Sequence, residues 1–196
     1  MSGDVVVERG PIEMTTLGTE TEDRKILASL ALALVDRPRA SLQELARAIG
    51  VSKATLYRFC RTREQLIERL MSHSTQVLSE AIATAELDTA PVLEAFRRLN
   101  ANNLEHRELT SFLTYYWKDA SKDPGAEANW DVTLDAFFLR GQREGVFRID
   151  ITAAALTEIW VAMLIGLVDA ERRGRIARTG LAAMLERAFL QGAAAG

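Results

Sequence analysis

A single cysteine, Cys60, leaves the chain without a partner for an internal disulfide. The two histidines, His73 and His106, stand far apart, so the ligand spacing of a His/Cys metal site is missing. Neither a G-x-S-x-G elbow, a P-loop, an H-E-x-x-H helix nor a Rossmann glycine fingerprint occurs. Enzymatic chemistry therefore has no recognisable foothold, and no metal or cofactor is implied. Only four prolines and 12 glycines interrupt the chain, and no alternating strand pattern or internal repeat is found. Recurrent helical periodicity predicts an all-α fold. The first twenty residues lack the basic start and apolar run of a signal peptide, which predicts a cytoplasmic protein.

An overall excess of positive charge is also missing: 24 Lys and Arg face 27 Asp and Glu, a net charge of −3. The distribution is uneven. Residues 24–70 carry a net +6, whereas residues 1–23 carry −5 and residues 71–196 carry −4. A basic segment in an acidic chain is the electrostatic footprint of a phosphate-binding surface.

The basic segment contains SLQELARAIGVSKATLYR at 41–58. Ser41 with Glu44 three residues on is a capping box, so a helix should start there. Leu42, Leu45, Ala46 and Ile49 form one apolar face at helical spacing. Gly50 suits the left-handed residue that ends a helix. Ser52 is placed to N-cap a second short helix, with Leu56 turned back to the core. Two helices joined by a tight turn containing Gly are the layout of a helix-turn-helix. The first turn of the second helix carries Ser52, Lys53, Ala54 and Thr55, with no bulk to block entry into a major groove about 12 Å wide. The same spacing also fits an ordinary helical hairpin.

With LYRFCRTREQL (56–66) the pattern becomes more specific. Gly50, Val51, Ser52, Leu56, Tyr57, Arg63, Glu64 and Leu66, together with Ile26, Leu27 and Leu34 on a preceding helix, resemble the N-terminal domain of TetR-family transcriptional regulators. A Glu-Gly-Val-Phe-Arg turn at 144–148 is also similar to that family. The chain departs from the pattern at Cys60, where the family has Phe, with Phe59 one residue earlier. The turn Asp36-Arg37-Pro38-Arg39 lacks the usual Gly. The resemblance implies an all-α protein with an N-terminal three-helix DNA-binding domain at 21–66 and a larger helical ligand-binding and dimerisation domain at 67–196. Residues 1–20 are expected to be a disordered acidic tail.

The resemblance also implies residue roles. Ser41 would contact a phosphate, Lys53, Ala54 and Thr55 would face base edges, and Ser52 at the start of the same helix would also belong to the DNA-binding set. Tyr57 and Arg58 would grip the backbone, and Arg63 would set a cation against phosphate. Thr62 with Gln65 forms a second capping box ahead of a long helix over 63–86. Pro91 suits the first position of the next helix, ending near 103. Further helices are expected at 107–120, 124–144, 152–173 and 178–191.

Residues 151–168 are apolar enough to raise a membrane span, at the lower end of the roughly 17–25 residues required. Glu158 in the middle of the run would cost about 2.5–3.5 kcal/mol on insertion scales, and a buried helix is preferred. A helix apolar nearly all round needs cover on several sides. A partner subunit is the natural cover, so Trp160, Met163, Leu164, Leu167, Leu181, Leu185 and Phe189 are the expected homodimer interface. TetR-like regulators hold a small-molecule effector among their middle helices. The aromatics that cluster in this middle region, Phe112, Tyr115, Tyr116, Trp117, Trp130 and Phe137, are the expected lining of that site, with Asn103, His106 and Asp135 as polar anchors; the low charge and many aromatics favour an apolar or aromatic effector. The expected function is a homodimeric repressor released from a near-palindromic double-stranded operator. The alternative is a helical dimeric ligand-binding or protein-interaction module that has lost DNA binding, as Cys60 at the Phe position would allow.

Overall fold

The computed structural model describes residues 13–120 and 130–193, and side chains over 21–116 and 130–192. The described residues form nine helices and no strand: α1 (Glu13–Asp36), α2 (Leu42–Ala48), α3 (Lys53–Phe59), α4 (Arg63–Ala83), α5 (Val92–Glu105), α6 (Arg107–Ala120), α7 (Trp130–Arg143), α8 (Ala153–Arg172) and α9 (Leu181–Ala193). Helix α1 starts at Glu13, inside the stretch expected to be a tail. No proline follows until Pro38. Pro91 occupies the N-cap of α5, one residue earlier than expected. The helix expected to begin at 124 is described only from Trp130; residues 124–129 lie outside the described residues, as do 1–12.

The chain buries two apolar cores. One unites α1 to α4 through Leu30, Leu34, Leu45, Leu56, Leu66 and Leu70, and takes Leu109, Phe112 and Tyr116 from α6. The other fills the space among α5, α7, α8 and α9 with Phe96, Phe137, Phe138, Phe147, Trp160 and Phe189. Helix α4 spans both, giving Val77 to the first core and Ile82 to the second. The expected boundary at 66/67 therefore falls inside one continuous helix, and α6 packs with the N-terminal module. The α1–α6 and α7–α8 pairs are the most extensive helix contacts.

The second core is close-packed around Phe96. Its ring lies 5.0 Å from Phe189, 6.1 Å from Phe147 and 6.4 Å from Phe138 between centroids. Gly141 lets Phe147 in: a Cβ there would meet the Phe147 ring at 2.3 Å. Truncating Phe96 to Ala should cost about 3–5 kcal/mol, because neighbours this interlocked collapse only partly into the void. Chemical denaturation of the variant reads that loss as a lower midpoint at unchanged slope.

By length and composition alone α8 could cross a membrane. In this fold one face of it, Leu156, Thr157, Trp160, Leu164 and Val168, is committed to the core. The opposite face is exposed and carries Glu158, Ile159, Ala162 and Gly166. This corrects the expected interface. Trp160, Leu164, Leu181, Leu185 and Phe189 are at most 4 % exposed and belong to the chain's own interior, while Met163 and Leu167 are half-buried. An unbroken apolar run does not disclose which side its own neighbours claim.

Candidate nucleic-acid interface

Local chemistry builds the helix-turn-helix as its spacing predicts. Ser41 caps α2 in a complete capping box: its backbone N–H donates to Glu44 at 2.8 Å, and the Glu44 N–H donates to the Ser41 hydroxyl at 3.3 Å. These bonds hold the exposed Glu44 carboxyl below the usual carboxylate range. Gly50 sits at φ 75°, a conformation that carries no Cβ penalty in glycine. Its N–H bonds Arg47 O and the Val51 N–H bonds Ala46 O, the crossed pair of a Schellman turn. Ser52 then caps α3 by accepting the Thr55 N–H at 2.9 Å, and its hydroxyl also pairs with the Thr55 hydroxyl at 2.8 Å.

Helix α3 buries Leu56 and Phe59 and exposes Lys53, Ala54, Tyr57 and Arg58. Ser52 is exposed beside them and Thr55 is half-buried. Lys53 lies over the Tyr57 ring, 5.2 Å from its centroid. Arg58 pairs with Asp23 of α1 at 3.0 Å. An ion pair this exposed contributes about 0–1 kcal/mol, so a phosphate competes with it easily. The departure at Cys60 is absorbed by the core. Phe59 fills it, Cys60 is 4 % exposed beneath, and Arg69 closes over Phe59, stacking on its ring and donating to its carbonyl at 3.0 Å. Burial raises the Cys60 thiol pKa, leaving it inert at neutral pH.

Two expected contacts stand differently. The Ser41 hydroxyl donates to Glu44 at 2.7 Å, so a phosphate would have to compete with that bond. Arg63 does not reach outward as a phosphate grip. It is half-buried and donates to Pro38 O at 2.6 Å, Ala40 O at 3.4 Å and the Tyr116 hydroxyl at 3.2 Å. The second capping box is half made: Thr62 accepts the Gln65 N–H, while the Gln65 side chain accepts from Arg61 N instead. Sequence reading did not single out Arg39, Arg47 and Arg61, which are exposed cations of the same module. The local excess of charge was the signal for them.

The expected effector residues divide between the two cores. Phe112 and Tyr116 stack at 4.8 Å in the N-terminal core, with Tyr115 half-exposed beside them. Phe137 lies fully inside the other core. Trp130 touches both and donates to Ser79 at 2.8 Å. Asp135 accepts the Thr157 hydroxyl at 2.6 Å, and the Asn103 amide donates to Leu99 O. The Trp117 side chain lies outside the described residues. A cavity of about 290 Å³ opens among α1, α4, α5 and α6, lined by Arg24, His73, Glu80, Glu105 and His106. Burial lowers the His73 pKa, and Arg24, Arg69 and His106 act in the same direction. A cavity of about 330 Å³ lies among α1, α6 and α8, beside Tyr115, Thr114, Ile165 and Asp169. The expected lining therefore does not converge on one described cavity. Sequence reading also missed Asn100, a buried polar residue at an apolar position of α5, which accepts the Trp160 indole N–H at 2.8 Å. Its amide nitrogen has no partner among the described residues.

No family model matches the chain. It is similar to the HTH-type transcriptional regulator NfxB of Pseudomonas aeruginosa, at 51 % identity over 177 residues, covering 88 % of this chain and 95 % of that protein. The HTH-type transcriptional repressor LfrR of Mycolicibacterium smegmatis is 32 % identical over 117 residues, 60 % of this chain and 61 % of its own. The crystal structure of the TetR-like regulator LfrR in complex with proflavine superposes at a TM-score of 0.65 and 25 % identity, covering 89 % of this chain and 97 % of that one. The ketosteroid transcriptional regulator KstR2 of Mycobacterium tuberculosis superposes at 0.72 with 15 % identity, covering 89 % and 96 %, a likeness that bears on the fold alone.

Proposed function

The chain belongs to the TetR family of transcriptional regulators, and from that premise we propose that it is a homodimeric repressor whose paired α3 helices read a near-palindromic operator. The observation that carries the reading is the exposed face of α3, where Lys53, Ala54 and Tyr57 project from a helix whose other face is locked in the core. Lys53 is suited to guanine O6 and N7, and Ala54 or the Thr55 methyl to a thymine methyl. Tyr57 and Arg58 grip phosphates, with Ser41 and Ser52 at the two helix starts, and position the module without reading sequence.

The effector is a small, mainly apolar or aromatic molecule bound in the C-terminal region. The proflavine complex of LfrR, a planar aromatic ligand in a similar fold, supports that class. Binding shifts α4, the helix shared by both cores, and alters the separation of the two α3 helices. Release follows only if the effector prefers the spacing that does not fit the operator.

Tyr57→Ala should weaken binding to every duplex by a similar factor, whereas Lys53→Ala should cost about 1–3 kcal/mol at its preferred base and relax the choice there. Binding selections on a randomised duplex separate the two patterns. Sequence preference unchanged in the Lys53 variant removes that residue from the reading surface.

A further inference from the structure

Arginine at the first position of a helix is electrostatically disfavoured, because the N-terminal end of the dipole is positive. Arg63 stands there, capped by Thr62, and its surroundings offset that cost. Its guanidinium donates to two carbonyls, Pro38 and Ala40, in the short connection between α1 and α2. These carbonyls lie outside any helix and need donors. The Ala40 carbonyl immediately precedes Ser41, the N-cap that sets the entry of α2. The same guanidinium reaches Tyr116 of α6, whose ring is 9 % exposed and stacked on Phe112. One side chain thus joins the start of α4, the entry to the helix-turn-helix, and the helix that packs along α1.

We infer that Arg63 is a positioning residue rather than a phosphate contact, and that the Arg63–Tyr116 hydrogen bond is the polar link by which α6, already packed on α1, holds the entry to the helix-turn-helix in register. The inference rests on the DNA-binding reading above for its consequence, but the clamp itself exists in the free protein. The planar guanidinium is essential to it. A lysine keeps the charge but presents a point donor that cannot span two carbonyls and a hydroxyl in one plane. Displacement of α6 by an effector stretches the bond to Tyr116, already 3.2 Å long, and loosens the 37–41 segment from which α2 starts.

Two measurements test this with Arg63→Lys, Arg63→Gln, Tyr116→Phe and the Arg63→Gln/Tyr116→Phe pair. In the free protein, hydrogen exchange over 37–41, where the Ala40 N–H bonds Arg37 O, should speed up about tenfold in Arg63→Lys and Tyr116→Phe, the equivalent of one lost hydrogen bond to a charged group. The double variant should exchange no faster than Arg63→Gln alone. On a mixed-sequence duplex, all four variants should bind more weakly while the slope of log affinity against log salt stays at the wild-type value. A phosphate contact predicts the opposite: Arg63→Lys near wild type, Arg63→Gln with a slope smaller by about 0.9, and unchanged exchange in the free protein. That result overturns the inference. If the wild type binds no duplex at low salt, the proposed function fails, and the exchange arm still decides the clamp.

Discussion

If α8 pairs two subunits as proposed, an arginine at Ala162 should convert that proposed dimer to a monomer and lower affinity for a two-half-site operator by about 10²–10⁴-fold, the gain that linking two weak sites provides. Ala162 stands at the centre of the exposed face of α8, between Ile159, 41 % exposed, and Gly166, where an added Cβ would meet nothing within 4 Å. Small residues there let a second helix approach closely, and Met184 of α9 is also exposed, at 38 %. A long charged side chain at this point would have to be desolvated if the two-fold form were retained, and its bulk, even paired with Glu158 one turn earlier, would hold the two helices apart. The fold of one subunit should be untouched, because the core face of α8, Leu156, Trp160 and Leu164, lies on the opposite side. Sedimentation should give half the wild-type mass with an unchanged helical spectrum. A variant that stays dimeric would move the interface away from this face of α8.

The helix-turn-helix was legible because its determinants are local. Ser41 and Glu44, Gly50, and Ser52 each act on backbone groups within a few residues, and each stands in the structure where its spacing put it. The proposed α8 interface was legible only as a quantity of apolar surface. The run at 151–168 holds too many apolar residues for one buried face, but only α5, α7 and α9 decide that Trp160 goes inward and Ile159 outward. Arg63 illustrates the other limit. Its place in the motif implies a cation beside phosphate, whereas its partners, Pro38, Ala40 and Tyr116, come from segments that only tertiary packing brings together. The same holds for Arg172 of α8, which pairs with Asp36 at the end of α1 at 2.9 Å, a link between the helix of the expected interface and the DNA-binding module. The effector residues were read from aromatic content, and content does not separate Phe137, which fills a core, from Trp130, which touches two.

The net +6 of residues 24–70, set between acidic segments, is the electrostatic footprint of a phosphate-binding surface. The direct test is the salt dependence of duplex binding by the intact protein. If several of Lys53, Arg58, Arg39, Arg47 and Arg61 displace counterions, log affinity should fall linearly with log salt and drop by about 10³–10⁵ between about 50 and 200 mM. Absence of binding at the lowest salt, or binding indifferent to salt, would contradict the assignment of α3 and its surrounding cations as a DNA-reading surface.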